Sequence, residues 1–414
     1  MSRKWLAAVC IAVLISLFSG RTALADQDPP DWEIAFDPAP YMPGDYYLIT
    51  AVEEFNNELF LIAGDPSWFH TIDPGMITAG QVFHSPDGVT WEPATETGFG
   101  LPPVEDPYCG TNYYDFSLDM EVFKGSLYAT AVDSCYALPG LVLRMNKKGV
   151  WEPVLFSTDL IEPWGDPEFP YYAQFHKFAV YEGMLYVSVD YYNPETEFTT
   201  SAIFRSSTGA SDTWEEVMVF PGWMWPGSFH VFQGALYIDS DTIYQPPDWT
   251  DLPEQIWRTF DGVNWEVVVP NGFGNSIYDG MGGFADYKGY LYVGATTYEV
   301  GPNQLDPGGQ IWRSSDGTNW ELVMAGGFGN PENIKVDGLL VYRGDLCAYT
   351  LNPYEGGSLF CSKDAQTWLP ASEPGWGNPN YYTTHLSSSQ VVFKDDLYLG
   401  MFSSQGTLVK LDHP

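Results

Sequence analysis

His176 and His385, taken with Tyr172, are the side chains of this sequence most suited to moving protons. An imidazole beside a phenol and a carboxylate can act as acid and base in cleaving a polysaccharide, by lysis or hydrolysis. A second set could bind without reacting: Tyr46, Tyr114, Tyr172 and Tyr278 recur at one place relative to a repeated turn, and Trp223 and His230 complete the expected ligand-binding set. Flat side chains of this kind form stacking platforms for sugar rings. A third set is acidic. Asp65, Asp133, Asp190 and Asp241 follow a repeated aromatic at similar distances and could hold Ca²⁺ or a cationic ligand. The simpler role for each is to cap its own turn. The chain has no Gly-x-Ser-x-Gly, His-Glu-x-x-His, Walker or Cys-x-x-Cys motif, which counts against esterase, zincin, nucleotide and zinc-site chemistry.

These residues are positioned by a repeat. The landmark is an aromatic, a short turn and a leucine: "FNNELF", "FKGSLY", "YEGMLY", "FQGALY", "YKGYLY", "YRGDLC" and "FKDDLY". The seven leucines, Leu59 to Leu397, are spaced by 51 to 68 residues. Each copy reads as two strands joined by a tight turn, then a third strand as in "IWRSS", an Asp-Gly turn, and a fourth strand opening on tryptophan. Four strands in about 50 residues is one blade of a propeller. The fourth-strand tryptophan is missing from the last copy, and "DWEIAF" at Trp32 supplies it. The expected fold is therefore all-β: a seven-bladed β-propeller of four-stranded blades, closed by the N-terminal strand. Residues 26–414 are expected to form this one domain.

Matching positions on neighbouring strands pair Tyr128 with Arg144, Tyr186 with Arg205, Tyr237 with Arg258, Tyr292 with Arg313, Phe60 with His84 and Tyr398 with Lys410. An aromatic beneath a cation is expected at these places. In the sixth copy both members are cysteine, which predicts a Cys347–Cys361 disulfide. Cys109 and Cys135 flank the first two strands of blade two on one face and are expected to form the other.

The turns "SPDGVTW", "TFDGVNW" and "SSDGTNW" resemble the Asp-box (BNR-like) repeat of sialidase-type propellers, and "SKDAQTW" resembles a degraded copy. The resemblance implies a structural hairpin in which Asp accepts backbone hydrogen bonds and Trp packs into the blade. It does not carry over sialidase activity, which would need an arginine triad. After residue 25 the arginines are Arg144, Arg205, Arg258, Arg313 and Arg343. Four occupy the repeated strand position, and Arg343 sits in a short turn.

In such a blade the first-to-second and third-to-fourth turns share one face. The long Tyr-, Trp-, Asp- and Pro-rich connections share the other, where function is expected on a rigid scaffold. The "GFGN" segments recur and read as blade architecture rather than a phosphate loop. Residues 1–25 have the form of a secretory signal peptide, so the protein is expected to be secreted, extracellular or periplasmic, without membrane insertion. With 17 basic against 54 acidic residues and a formal net charge of −37, nucleic acid is not an expected partner. The expectation is a monomer that binds a glycan on the long-loop face without cofactor. The alternatives are a glycoside hydrolase or polysaccharide lyase at the channel of that face, and a scaffold that binds protein.

Overall fold

A computed structural model describes residues 31–42, 47–64, 79–106, 110–163, 171–194, 197–222, 224, 226–240, 243–245, 250–274, 281–296, 308–383, 389–403 and 406–411. Seven antiparallel four-stranded blades follow one another round a central channel. Blade three shows the pattern: Ala173–Tyr181 lines the channel, followed outward by Met184–Asn193, Phe198–Ser206 and Trp214–Val219. The first turn of each blade is a two-residue hairpin with both central residues at positive φ, such as Lys124 and Gly125. That geometry matches the twist of the flanking strands.

Blade seven consists of Gln390–Phe393, Asp396–Ser403 and Leu408–Leu411 with Trp32–Phe36 as its outer strand. Trp32 faces Leu411 and Glu33 faces Lys410, so the N-terminal strand closes the ring. The closure repeats the chemistry of the other blades. A glutamate follows the fourth-strand tryptophan and meets the third-strand cation: Glu215 with Arg205, Glu266 with Arg258, Glu321 with Arg313, and Glu33 with Lys410.

Each expected pair is found in register: Tyr128 with Arg144, Tyr186 with Arg205, Tyr237 with Arg258, Tyr292 with Arg313, Phe60 with His84, and Tyr398 with Lys410. Cys347 and Cys361 also pair and are disulfide-bonded. Cys135 is disulfide-bonded too, and its expected partner Cys109 lies outside the described residues.

The expected stacking is found at Phe60 and His84, whose rings stack at 5.9 Å, and is corrected at the tyrosine–arginine pairs, where the guanidinium meets the hydroxyl instead of the ring face. Arg258 Nη1 meets the hydroxyl of Tyr237 at 3.5 Å and donates to the Asp316 carbonyl of the next blade at 3.2 Å. Its planar group covers the Phe260 ring instead. The reason lies between blades. The Tyr237 hydroxyl seats against Gly317 in the Asp-Gly turn of blade five, where a Cβ would overlap it. Tyr186 against Gly262, Tyr128 against Gly209 and Tyr398 against Gly88 repeat the arrangement. The first-turn residue adds a second link: Lys124, Gln233, Lys288 and Lys394 donate to Ser207, Ser315, Lys363 and Pro86 carbonyls of the following blade.

The exceptions follow from the ring. Blade seven closes by the chain ends and has no Asp turn, and blade six, which precedes it, carries the disulfide in place of Tyr and Arg. Blade one has Phe60, which lacks the hydroxyl, and a cavity of about 480 Å³ opens between it and blade two.

The Asp turns form as the resemblance implies. Asp316 Oδ1 accepts from the backbone of Thr318 and Asn319 at 2.8 and 2.7 Å. Such bonds hold the carboxyls of Asp87, Asp261 and Asp316 well below the usual carboxylate range, and that of Asp364 at about 2. The glycine-aromatic-glycine segments are short 3₁₀ turns whose rings stack in the blade, Phe273 on Trp312 at 4.6 Å and Phe328 on Phe360 at 4.2 Å.

Candidate functional site

The first strand of five blades contains a register shift, at Ile49/Ala51, Phe175/Phe178, Pro226/Phe229, Gly282/Phe284 and Val336/Gly338. A bulge re-aims side chains without ending the strand. In blade three the re-aimed residues are His176 and Lys177. His176 Nε2 lies 2.7 Å from Asp190 Oδ1 on the adjacent strand, and both side chains are 2% exposed.

Two connections on the long-loop face bring an aromatic stack within reach of the charge of Asp190. Tyr172 precedes the first strand of blade three. Tyr136 lies in the second-to-third connection of blade two, at φ 55°. Their rings stack at 4.5 Å with 19° between planes. The fold of the connection is set by Asp133, whose carboxylate accepts from Cys135 at 3.0 Å and Leu138 at 2.8 Å. Burial, then the charge of Asp190, raises the Tyr172 phenol to about 12, and the same causes push Tyr136 higher still. The Thr199 side chain also hydrogen-bonds Tyr172. Both phenols are therefore neutral donors at physiological pH, and neither is activated as a nucleophile.

The other expected residues are dispersed. Tyr114 is buried and donates to the Pro139 carbonyl at 2.8 Å, so it packs rather than faces a ligand. His230 Nε2 contacts Asp286 Oδ1 at 2.9 Å on the inner strands of blades four and five, in the half of the channel nearer the short turns. Of the four aspartates, Asp133 caps its turn and Asp190 pairs with His176. Among the described residues no three His, Cys, Asp or Glu are grouped to hold a metal ion. Tyr46, Tyr278, Trp223, His385, Asp65 and Asp241 lie outside the described residues.

Sequence reasoning did not single out Tyr136, Glu53 or Glu121. Glu53 and Glu121 line a channel cavity of about 270 Å³ with Asp119 and Lys177. They sit two residues before the blade aromatics Phe55 and Phe123, where other blades have Ala179, Ala285 or Leu340. That break in the repeat was the available signal.

The fold and the site define a seven-bladed β-propeller with a tyrosine-rich loop face. No family model and no curated protein sequence matches the chain. Among solved structures it is similar to a puromycin-hydrolysing peptidase of Mycobacterium tuberculosis, with a TM-score of 0.53 and 10% identity. That match covers 93% of this chain and 55% of the peptidase, so the chain spans about half the length of that relative. The propeller domain of the Trilobed protease of Pyrococcus furiosus matches at a TM-score of 0.47 and 8% identity, covering 89% of this chain and 96% of that one. Trypanosoma rangeli sialidase in complex with the inhibitor DANA matches at 0.43 and 14%, covering 89% and 55%. At these identities the likeness extends to the fold alone. Among the described residues no helix is long and apolar enough to cross a membrane.

Proposed function

We propose that the protein binds a glycan on its long-loop face without chemistry. The observation that supports this is the Tyr136–Tyr172 stack beside the buried His176–Asp190 pair. Sugars present alternating hydroxyls and apolar ring faces. A rigid aromatic platform carrying phenols suits both, and the buried His176–Asp190 pair beneath it is part of its rigid support. The export expected from residues 1–25, and kinship with Asp-box propellers, belong to the same reading. The Asp turns support that kinship by their hydrogen bonding. In this reading the propeller is a monomeric exported receptor that needs no metal.

The second reading is a carbohydrate-active enzyme, favoured by the 2.7 Å His176–Asp190 contact, since a carboxylate that orients an imidazole prepares it for proton transfer. The raised phenols weigh against tyrosine as the base or nucleophile in such a reaction.

A glycan array run beside a polysaccharide product assay separates the two. Saturable binding without turnover, lost in Tyr172→Ala and Tyr136→Ala with the melting temperature retained, supports the receptor. Reducing or unsaturated sugar products that disappear in His176→Ala would replace it with the enzyme.

A further inference from the structure

Tyr136 is held in a backbone conformation that the repeat does not require. Among the described residues, non-glycine residues at positive φ fall in the first turns, the glycine-aromatic-glycine segments and the Asp turn of blade six, with two exceptions, Tyr136 and Glu197. Glu197 is exposed at the tip of the blade-three hairpin. Tyr136, at φ 55°, carries one ring of the aromatic stack. A left-handed conformation at a residue with a bulky side chain persists only where its surroundings impose it, and such residues gather at functional sites.

The contacts that impose it come from two sides. Within the connection, the Tyr136 N–H donates to the Asp133 carbonyl at 3.0 Å. The Asp133 carboxylate accepts from the N–H groups of Cys135 at 3.0 Å and Leu138 at 2.8 Å, so it spans the strained residue. From blade three, the Tyr171 N–H donates to the Tyr136 carbonyl at 3.2 Å, and the Ala173 carbonyl accepts from Gly140 at 3.1 Å. Tyr114 donates its hydroxyl to the Pro139 carbonyl at 2.8 Å, and a disulfide holds Cys135. Asp133 is 1% exposed and Tyr114 4%, so both act on the arm from beneath and neither meets a ligand.

We propose that Asp133 and Tyr114 are positioning residues of the glycan platform. They hold residues 133–140 in the strained form that lays the Tyr136 ring on Tyr172, so the stack stands ready before a ligand arrives. This deepens the reading of the loop face as a glycan site and rests on it. The ligand such a platform fits presents a flat apolar face, as a pyranose ring does, and meets aromatic rings that are already ordered. Preforming the stack moves the cost of ordering it from binding to folding. The strain at Tyr136 is part of that cost.

The test has one arm that needs no ligand. Tyr136→Gly and Tyr136→Ala both remove the ring, but glycine takes positive φ without the penalty of a Cβ. The glycine variant should therefore melt above the alanine variant, the reverse of their order where φ is negative, and neither should retain glycan. Asp133→Ala should speed hydrogen exchange at the Leu138 amide by about tenfold or more. It should also weaken affinity for the oligosaccharide best retained on the array by about three- to tenfold. Asp133→Asn, whose carbonyl can still accept one of the two bonds, should recover part of both. Tyr114→Phe removes only the hydroxyl bonded to Pro139 and should weaken the same affinity to a smaller extent. Should Asp133→Ala fail to fold, Asp133→Asn and Tyr114→Phe carry the comparison. A parent that retains no oligosaccharide overturns the glycan reading, and the arm is then judged by exchange and by the order of the glycine and alanine variants. The proposal is overturned if the alanine variant melts as high as the glycine variant. It is equally overturned if Leu138 exchanges alike in parent and Asp133 variants, or if those variants bind the oligosaccharide as tightly as the parent does.

Discussion

Glu53→Gln should make the protein more stable at alkaline pH and change little near pH 5. The Glu53 carboxyl stands at about 8 in the fold against an ordinary 4.5. The native state therefore holds a proton there that the unfolded chain has already released between those two values. Stability falls as pH rises through that window and levels off above it, because the unfolded state binds fewer protons than the native one. Each tenfold in proton affinity is worth ~1.4 kcal/mol, so the full displacement approaches 5 kcal/mol. Partial solvent access at the channel brings the expected gain on substitution to roughly 2–4 kcal/mol at pH 8.5. Glu121, raised to about 7, acts in the same direction over a narrower window, and the double variant gains less than the sum because the two charges repel each other. Lys177, pulled down by burial, has the opposite sign, so the difference between parent and variant carries the test. Urea midpoints measured at pH 5, 6, 7, 8 and 9 should diverge steadily from pH 5 and run parallel above pH 8. A constant difference across that range, or a variant less stable than the parent at pH 8.5, would refute the reasoning.

Removing the Tyr237 hydroxyl as Tyr237→Phe takes away its contact with Arg258 and its seat against the Gly317 turn, and should cost about 1 kcal/mol in urea denaturation. Cys347 and Cys361 lie 14 residues apart, so replacing both by Ala should cost about 3 kcal/mol by loop-closure entropy, seen as a lower midpoint that reductant no longer changes. The turn carboxyls, held below their ordinary 3.8 by backbone N–H groups, stabilise above that value, and this support is lost as pH falls below about 4. Asp316→Ala should flatten that acid limb without affecting the limb between pH 5 and 8. Tyr172→Ala should leave the melting temperature within a few degrees of the parent while removing glycan capture.

Much of the fold was legible because hairpins are local. The aromatic-turn-leucine motif, the Asp-Gly turn and the Trp-Glu step each lie within one blade, where side-chain alternation and a two-residue turn leave a single register. Tyr237 facing Arg258, Cys347 facing Cys361, and Trp32 completing the last blade follow from counting along adjacent strands. Contacts between blades could not be counted in this way. Whether the Tyr237 hydroxyl reaches Gly317, or Lys124 the Ser207 carbonyl, depends on the angle at which one twisted sheet meets the next. Only closure of the ring sets that angle.

The candidate sites divide along the same line. Tyr172, His176 and Asp190 stood out by residue type and position, but the pairing of His176 with Asp190 coincides with a bulge at His176, which no local pattern announces. Tyr136 reached Tyr172 only because two blades converge on the loop face. Glu53 and Glu121 were visible in the sequence as acids among many. What sets them apart is tertiary: the ring brings them into one cavity beside Asp119 and Lys177, where burial and neighbouring carboxyls raise both. Repetition along the chain determined seven blades and their internal pairings. The environment of each charge was decided by the curvature that closes them, because burial and neighbouring charge are properties of the space inside the ring.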